Sequence, residues 1–204
     1  MLGRHCHYRS STRALRELLE AILSIGTTLS LVLMGPPLRA QTPADAEYRA
    51  KANFLSKVSG FVEWPADALP LNHGPFLVCV LGSFSFGTSL AELSRGTTVH
   101  GGRLEVRWIR KDEESRSCHI LFVSQSEQKR YRRVLEKLSG QKVLTVGETP
   151  EFLDAGGILC FSMEEGALRF EVNLDEATKS HLKISSRLLA LARRVVNRGE
   201  AAKS

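Results

Sequence analysis

The chain has 204 residues, of which 43% are hydrophobic, and its formal net charge is +6. This length and composition fit one globular domain with a sizeable core. No run of Lys and Arg is interleaved with aromatic residues, so the charge pattern argues against a nucleic-acid partner.

Residues 1–40 have the pattern of a secretory signal peptide. A basic segment precedes an apolar run of 15 residues, Ala21 to Gly35, and Ala40 offers a small residue at a cleavage site. A retained membrane anchor is the weaker interpretation, because a spanning helix needs about 20 apolar residues. We predict a cleavable signal peptide, a periplasmic mature protein and no membrane insertion after cleavage. Losing five Arg and two Glu would lower the net charge from +6 to +3.

The first half of the mature chain alternates between helical and extended patterns. Apolar residues at helical spacing from Tyr48 predict a first helix that Pro65 ends. Residues 76–81 are all apolar and predict a strand buried on both faces. A helix over about residues 86–95 follows and closes at Gly96. Next come a predicted strand with one solvated face, residues 104–108, and a second buried strand, residues 119–123.

The second half continues the alternation. Ser124 and Glu127 predict a capping box for a helix that ends at Gly140. A strand over residues 143–146 and a helical turn over residues 151–155 lead to a predicted hairpin with strands 158–161 and 168–172. Ser185 or Ser186 caps a last predicted helix, which carries Leu188, Leu191 and Val195 on one face.

These elements predict the fold class. Buried strands separated by helices indicate a layered α/β fold, in which helices flank a mostly parallel sheet and an antiparallel hairpin lies near the C-terminal end. We predict a single domain over residues 44–197, followed by a disordered tail over residues 198–204.

No residue pattern assembles a catalytic site. Gly82-x4-Gly87 lies between a buried strand and a helix, as in a phosphate loop, but Thr88 stands where that loop needs a Lys. A strand-to-helix turn is the preferred interpretation, although its backbone N–H groups could hold a small anion or ligand. Cys118 and His119 point to opposite faces of one strand, and the other His residues are dispersed. We predict no catalytic residue, no metal site and no cofactor.

Three cysteines remain after the predicted cleavage, namely Cys79, Cys118 and Cys160. An exported chain meets an oxidising compartment, which favours one disulfide and one spare thiol over three buried thiols. A bridge between Cys79 and Cys118 would enclose 38 residues and would stabilise the fold by about 3 to 4 kcal/mol. Neither redox catalysis nor structural zinc is indicated by the Cys spacing.

Six segments, taken in order, resemble the YfiR family. They cover the chain from about Tyr48 to Arg194 and are residues 61–65, 79–82, 119–124, 143–146, 169–174 and 184–189. The resemblance implies a non-catalytic periplasmic protein that binds the periplasmic part of a membrane-bound diguanylate cyclase or a similar receptor. Such binding keeps the cyclase inactive, which lowers cyclic di-GMP and biofilm formation. A homodimer is also open.

The resemblance also carries over to single residues. It implies a disulfide between Cys79 and Cys118, and a second, short-range bridge of which only Cys160 has a counterpart here. Glu171 matches a carboxylate in the family's partner-binding segment, and alternation along the strand turns its side chain outward. An outward carboxylate is most often only solvated. Leu159, on the paired strand, is expected to add an apolar contact.

A second function remains open, that of a periplasmic receptor for a small ligand. Its cleft would lie beside Trp64 or at the turn from Gly82 to Gly87. For Trp64, the alternative is a buried aromatic residue of the core.

Overall fold

A computed structural model describes residues 43–70, 74–83 and 87–197. Contacts within the chain divide it into two units, residues 1–40 and residues 41–204, and every described residue belongs to the second. The predicted signal peptide and the predicted tail, residues 198–204, lie outside the described residues.

Short strands and helices alternate along the described chain. The strands are β1 Val62–Glu63, β2 Phe76–Leu81, β3 Thr98–Val99, β4 Gly102–Ile109, β5 Ile120–Val123, β6 Leu144–Gly147, β7 Leu159–Glu164, β8 Ala167–Asn173, β9 Lys183–Ile184 and β10 Arg194–Val196. The helices are α1 Pro43–Lys57, α2 Gly87–Ser94, α3 Tyr131–Leu138, α4 Pro150–Asp154, α5 Leu174–Lys179 and α6 Ser186–Leu191. None of these helices is long and apolar enough to cross a membrane.

The main sheet has eight strands in the order β10-β8-β7-β6-β5-β2-β4-β3. The five strands from β4 to β7 in this order are parallel, β8 is antiparallel to β7, and β10 is parallel to β8. Taken in chain order, those five parallel strands have the doubly wound arrangement 2-1-3-4-5. β1 and β9 form a separate antiparallel pair. The predicted layered α/β fold with its late hairpin is confirmed.

Successive side chains of β2 enter two different cores. Phe76, Val78 and Val80 of β2 face the larger core, which we call the first face and which α1 and α6 help to cover. Leu77, Cys79 and Leu81 face the smaller core, the second face, which α3 and Phe152 of α4 cover. All six residues of β2 are buried, so the apolar run correctly predicted a strand covered on both sides.

The first helix ends earlier than predicted. α1 stops at Lys57, a 3-10 turn covers Val58–Phe61, and Val62 is already extended, with φ −122° and ψ 132°. Val62 pairs with Ile184 in the β1–β9 ladder. Val62, which the prediction placed on the helix, therefore lies on a strand.

The prediction that the last helix runs through Val195 is wrong. α6 ends at Leu191, Ala192 is extended, and the Arg193 amide donates to the Phe170 carbonyl at 2.9 Å. That hydrogen bond starts the parallel pairing of β10 with β8. Val195 therefore lies on a strand, a conformation that suits its branched side chain.

Ser124 is a cap as predicted, but it does not form a capping box. Its Oγ accepts a hydrogen bond from the Ser126 amide at 3.3 Å, at the start of a 3-10 helix over Gln125–Arg130. The Ser124 amide donates to the Leu81 carbonyl, and the Glu127 carboxylate pairs with Arg130 at 2.7 Å. In a capping box, the Ser124 amide would donate to the Glu127 carboxylate. Here each of these two groups has a different partner.

Candidate functional site

Charged side chains gather where β7, β8 and β10 lie side by side. Strand register places Glu171 between Cys160 of β7 and Arg194 of β10. We call the five charged residues at this end of the sheet the charged face, and they are Glu164, Arg169, Glu171, Arg193 and Arg194. Arg169 belongs to it because it lies two residues before Glu171 on the same side of β8.

Two arginines bind Glu171 within the chain. Nε of Arg194 donates to Oε2 of Glu171 at 2.9 Å, and a second nitrogen of the same guanidinium also donates to it. Arg193 lies 4.0 Å from the other oxygen of Glu171 and pairs with Glu164. The hydrogen bond and charge of Glu171 raise the pKa of Arg194.

The Glu171 carboxylate is thus paired within the chain and is not simply solvated. The Glu171 side chain is 17% exposed, while that of Arg194 is 55% exposed. The pair presents a cation to solvent with a carboxylate beneath it. Sequence reasoning missed Arg194 because it placed this residue on a helix. The adjacent branched residues Val195 and Val196 were the available signal for a strand.

The predicted apolar contact between Leu159 and a partner does not fit the structure. The Leu159 side chain is fully buried in the first face, and its strand position is opposite Val172. It therefore cannot touch a partner directly. The exposed large apolar residues at this end of the molecule are Leu191, at 69%, and Val195, at 39%.

The structure joins Cys79 and Cys118 in a disulfide, with their Cα atoms 5.8 Å apart, which confirms the predicted bridge. The bridge ties β2 to the residues just before β5. Six residues before Cys118, the buried Asp112 carboxylate contacts Arg130, Arg133 and Lys137. Burial opposes ionisation of Asp112, but the hydrogen bonds from Lys137 and Arg130 outweigh it and lower its pKa. Covalent and ionic contacts thus hold the same segment.

Cys160 is a free, buried thiol that donates to the Thr149 carbonyl, with 3.0 Å between Sγ and O. Burial, together with the charge of Glu171, raises its pKa to about 12. Residues 150–159 contain no cysteine that could pair with it. This environment keeps the thiol protonated and unreactive at neutral pH.

Trp64 is part of the core. It is 7% exposed, and its ring meets Phe76 edge-on, with 5.3 Å between ring centroids. His100 contacts the same indole at 5.4 Å. Phe76 is the first residue of β2 and Gly82 follows the last, so Trp64 and the glycine turn lie at opposite ends of that strand and do not form one cleft.

The turn after β2 is bound to the loop after β5. A Cβ on Gly82, whose φ is +100°, would lie 2.6 Å from Oγ of Ser126. The Ser83 amide donates to that oxygen at 2.9 Å, and Ser124 Oγ donates to the Ser83 carbonyl at 2.6 Å. In a 2-1-3-4-5 sheet, ligands bind in the crevice between these two loops. Here the loops bond to each other. Gly87 begins α2, and residues 84–86 lie outside the described ranges.

A buried ion pair that sequence reasoning missed lies at the same edge of the sheet. Lys51 of α1 contacts Glu148 at 2.9 Å and Glu47 at 2.7 Å. The second oxygen of Glu148 accepts the Gln125 amide at 2.9 Å. Burial lowers the pKa of Lys51, but its hydrogen bonds to both carboxylates outweigh burial and raise the pKa. Glu148 thus supplies an internal anion to a backbone N–H group at this edge.

The fold and site define a doubly wound α/β domain with loops that bond to each other at the carboxyl edge of its parallel strands and a charged face at one end of the sheet. The sequence profile of the YfiR/HmsC-like proteins matches residues 48–193, and the chain belongs to this family. The family comprises periplasmic, non-catalytic regulatory proteins of cyclic di-GMP signalling that interact with periplasmic signalling proteins.

Two solved structures show low similarity to this chain. One is a conserved domain protein from Vibrio cholerae O1 biovar eltor, with 11% sequence identity and a TM-score of 0.48. The other is the ABC domain from Streptococcus pneumoniae in complex with L-Trp, with 10% identity and a TM-score of 0.48. Each match covers 73% of this chain and 60% of the other chain.

Proposed function

We propose that this protein binds the periplasmic part of a membrane-bound diguanylate cyclase, keeps the cyclase inactive and thereby lowers cyclic di-GMP. The observation that carries the proposal is membership of the YfiR/HmsC-like family across residues 48–193. The oxidised Cys79–Cys118 pair is in keeping with a periplasmic site of action.

The charged face is the surface that we assign to the partner. Protein interfaces combine a few apolar anchors with a polar rim. Leu191 and Val195 are exposed apolar residues of α6 and β10, and Val195 follows Arg194 directly. Arg194 and Glu171 supply a polar pair on the other side of β10, because consecutive residues of a strand point to opposite faces. The proposed interface is therefore centred on β10 and does not include Leu159.

A complementation experiment tests this assignment. The gene is deleted, and wild type or Glu171→Lys is expressed at equal protein level while cyclic di-GMP is measured. We expect wild type to lower cyclic di-GMP and the variant to leave it high, because charge reversal at an interface weakens binding by about 2 kcal/mol or more. The melting temperature of each purified variant controls for loss of the fold.

The pairing of Glu171 with Arg194 allows a sharper control. The double variant Glu171→Arg with Arg194→Glu restores an ion pair within the chain but reverses the charges that a partner meets. If the pair acts only by holding β10 in place, the double variant will restore low cyclic di-GMP and our interface is wrong. If deletion of the gene leaves cyclic di-GMP unchanged, the repressor function itself is wrong.

The alternative of a small-ligand receptor receives less support. Trp64 is packed in the core, and the loops at the carboxyl edge of β2 and β5 are bonded to each other. A rise in melting temperature on adding a small ligand, without any protein partner, would favour the receptor.

A further inference from the structure

The far edge of the main sheet, opposite β10, is formed by β4, and most of it is open. β3 pairs with only the first two residues of β4, and the Leu104 amide donates across the same edge to the Thr97 carbonyl at 2.9 Å. Alternate residues of a strand turn their N–H and C=O groups to the same side. Because the Leu104 amide points to this edge, the N–H and C=O groups of Val106 and Trp108 point there too. Within the described ranges, no other strand pairs with β4 there.

The two sides of β4 carry different kinds of side chain. Val106 and Trp108 share one side of the strand, and Arg103, Glu105 and Arg107 share the other. Trp108 is 50% exposed, whereas the other Trp of the chain is 7% exposed. The open edge is therefore apolar on one side and charged on the other.

Cations dominate this edge. Four exposed cations lie on β4 or directly after it, and they are Arg103, Arg107, Arg110 and Lys111. None of the four has an ion-pair partner in the part of the chain that the structure describes, in contrast to the paired arginines of the charged face. Glu105 is the one carboxylate on the strand. The edge thus carries excess positive charge that no carboxylate of the described residues pairs with.

The positive charge of the β4 edge indicates which kind of strand can pair with it. A second copy paired edge to edge would bring two sets of cations together, and charged edge residues are a known protection against such pairing. An acidic strand would gain from the same cations. We propose that the β4 edge docks an extended acidic segment of another protein, in which carboxylate and apolar residues alternate. Its main chain pairs with Val106 and Trp108, and its apolar residues cover Trp108. One of its carboxylates lies opposite Arg107, and another reaches Arg103 diagonally, because Thr98 of β3 already lies opposite Arg103.

A designed peptide tests the proposal on the purified protein. The probe is an acetylated, amidated hexapeptide of alternating Glu and Val, and the signal is the change in Trp fluorescence. We expect saturable binding that the double variant Arg103→Glu with Arg107→Glu weakens at least about tenfold, the equivalent of about 1.4 kcal/mol. The matched control is Arg132→Glu. Arg132 is an exposed cation on α3 that forms no ion pair with the described residues, and its reversal should leave binding within about twofold.

Two further peptides separate strand pairing from simple charge attraction. A hexapeptide with N-methylated amides cannot form the ladder, and a Lys–Val hexapeptide has the wrong charge, so neither should bind. Equal binding of the N-methylated peptide would overturn the proposal, as would no binding of the Glu–Val peptide at about 1 mM. Without Glu–Val binding, dimerisation lost in Trp108→Ala would indicate a second copy, and Trp108-dependent binding to phosphatidylglycerol vesicles would indicate a lipid surface.

Discussion

His119 is a side chain that burial and hydrogen bonding hold in one protonation state. Its Nδ1 accepts the Leu77 amide at 2.9 Å, and its ring stacks on Phe76, with 4.4 Å between centroids. Burial lowers its pKa from 6.5, the charge of His100 adds to this, and a hydrogen bond with the Ala68 backbone opposes it. A proton on Nδ1 would face the Leu77 N–H group, so the neutral ring is the form that fits.

Stability should therefore depend on pH through His119. Between the lowered folded pKa and the unfolded value near 6.5, the unfolded chain binds a proton that the folded chain does not. We expect no contribution above about pH 6.5 and a loss of unfolding free energy as pH falls below that value. Denaturant unfolding at a series of pH values from 7.5 to 5 measures this loss of unfolding free energy.

The matched control for this titration is His181→Asn, at an exposed position where φ is +57° and Asn is tolerated. The acid slope should shrink in His119→Gln and persist in His181→Asn. An unchanged slope in His119→Gln would show that other groups set the pH dependence.

The disulfide gives a second prediction for a single residue. Cys118→Ser should lower the unfolding free energy by about 2 to 4 kcal/mol, because the bridge closes a long loop in the unfolded chain. Thermal unfolding of wild type with and without reductant measures the same effect. Cys160→Ser is the control, since that thiol forms no bridge. A melting temperature that reductant does not change would contradict the bridge.

At the scale of elements, the ion pair between Lys51 and Glu148 attaches α1 to the loops after β5 and β6. Glu148→Gln should lower the unfolding free energy by about 2 to 4 kcal/mol, because it leaves a buried ammonium group with fewer partners. The control Glu113→Gln breaks an ion pair with Lys137 in which Glu113 is 71% exposed, and it should cost under about 1 kcal/mol. Equal losses in both variants would contradict a special role for α1 docking.

The elements also show what local pattern could predict. The apolar runs in β2 and β5 predicted strands correctly, because a strand covered on both faces needs apolar residues at every position. β10 was missed because Leu188, Leu191 and Val195 repeat at helical spacing. The conformation after Leu191 is decided by a hydrogen bond from Arg193 to Phe170, which no local pattern contains. β1 and β9, with two residues each, gave no periodic signal.

At the scale of the whole molecule, the resemblance predicted the family correctly, and the pattern of buried strands and helices predicted the fold class. The surface was harder to predict. The pair between Glu171 and Arg194 joins residues 23 positions apart, and the open edge at Trp108 exists only because β3 is short. Both features depend on which strands become neighbours, and the sequence does not state that order.

Export is the prediction that belongs to the whole chain. The basic segment and the apolar run within residues 1–40 lead us to expect a mature protein that starts near Gln41. N-terminal sequencing of protein from the periplasmic fraction measures this. A matched variant with Arg inserted into the apolar run should stay uncleaved. Recovery of wild type that retains Met1 in the cytoplasm would show that the leader does not act.

The disulfide has a mechanical consequence. A force applied to the two ends of the chain cannot pass through the segment between Cys79 and Cys118, because the bridge carries the load across it. The 39 positions that separate the two cysteines could extend by roughly 130 to 140 Å if they were free. Pulling single molecules should therefore give a final length shorter by that amount, less the 5.8 Å that the bridge spans between the two Cα atoms, under oxidising than under reducing conditions. β4 lies inside the protected segment, so tension on the oxidised chain would not pull it out lengthwise.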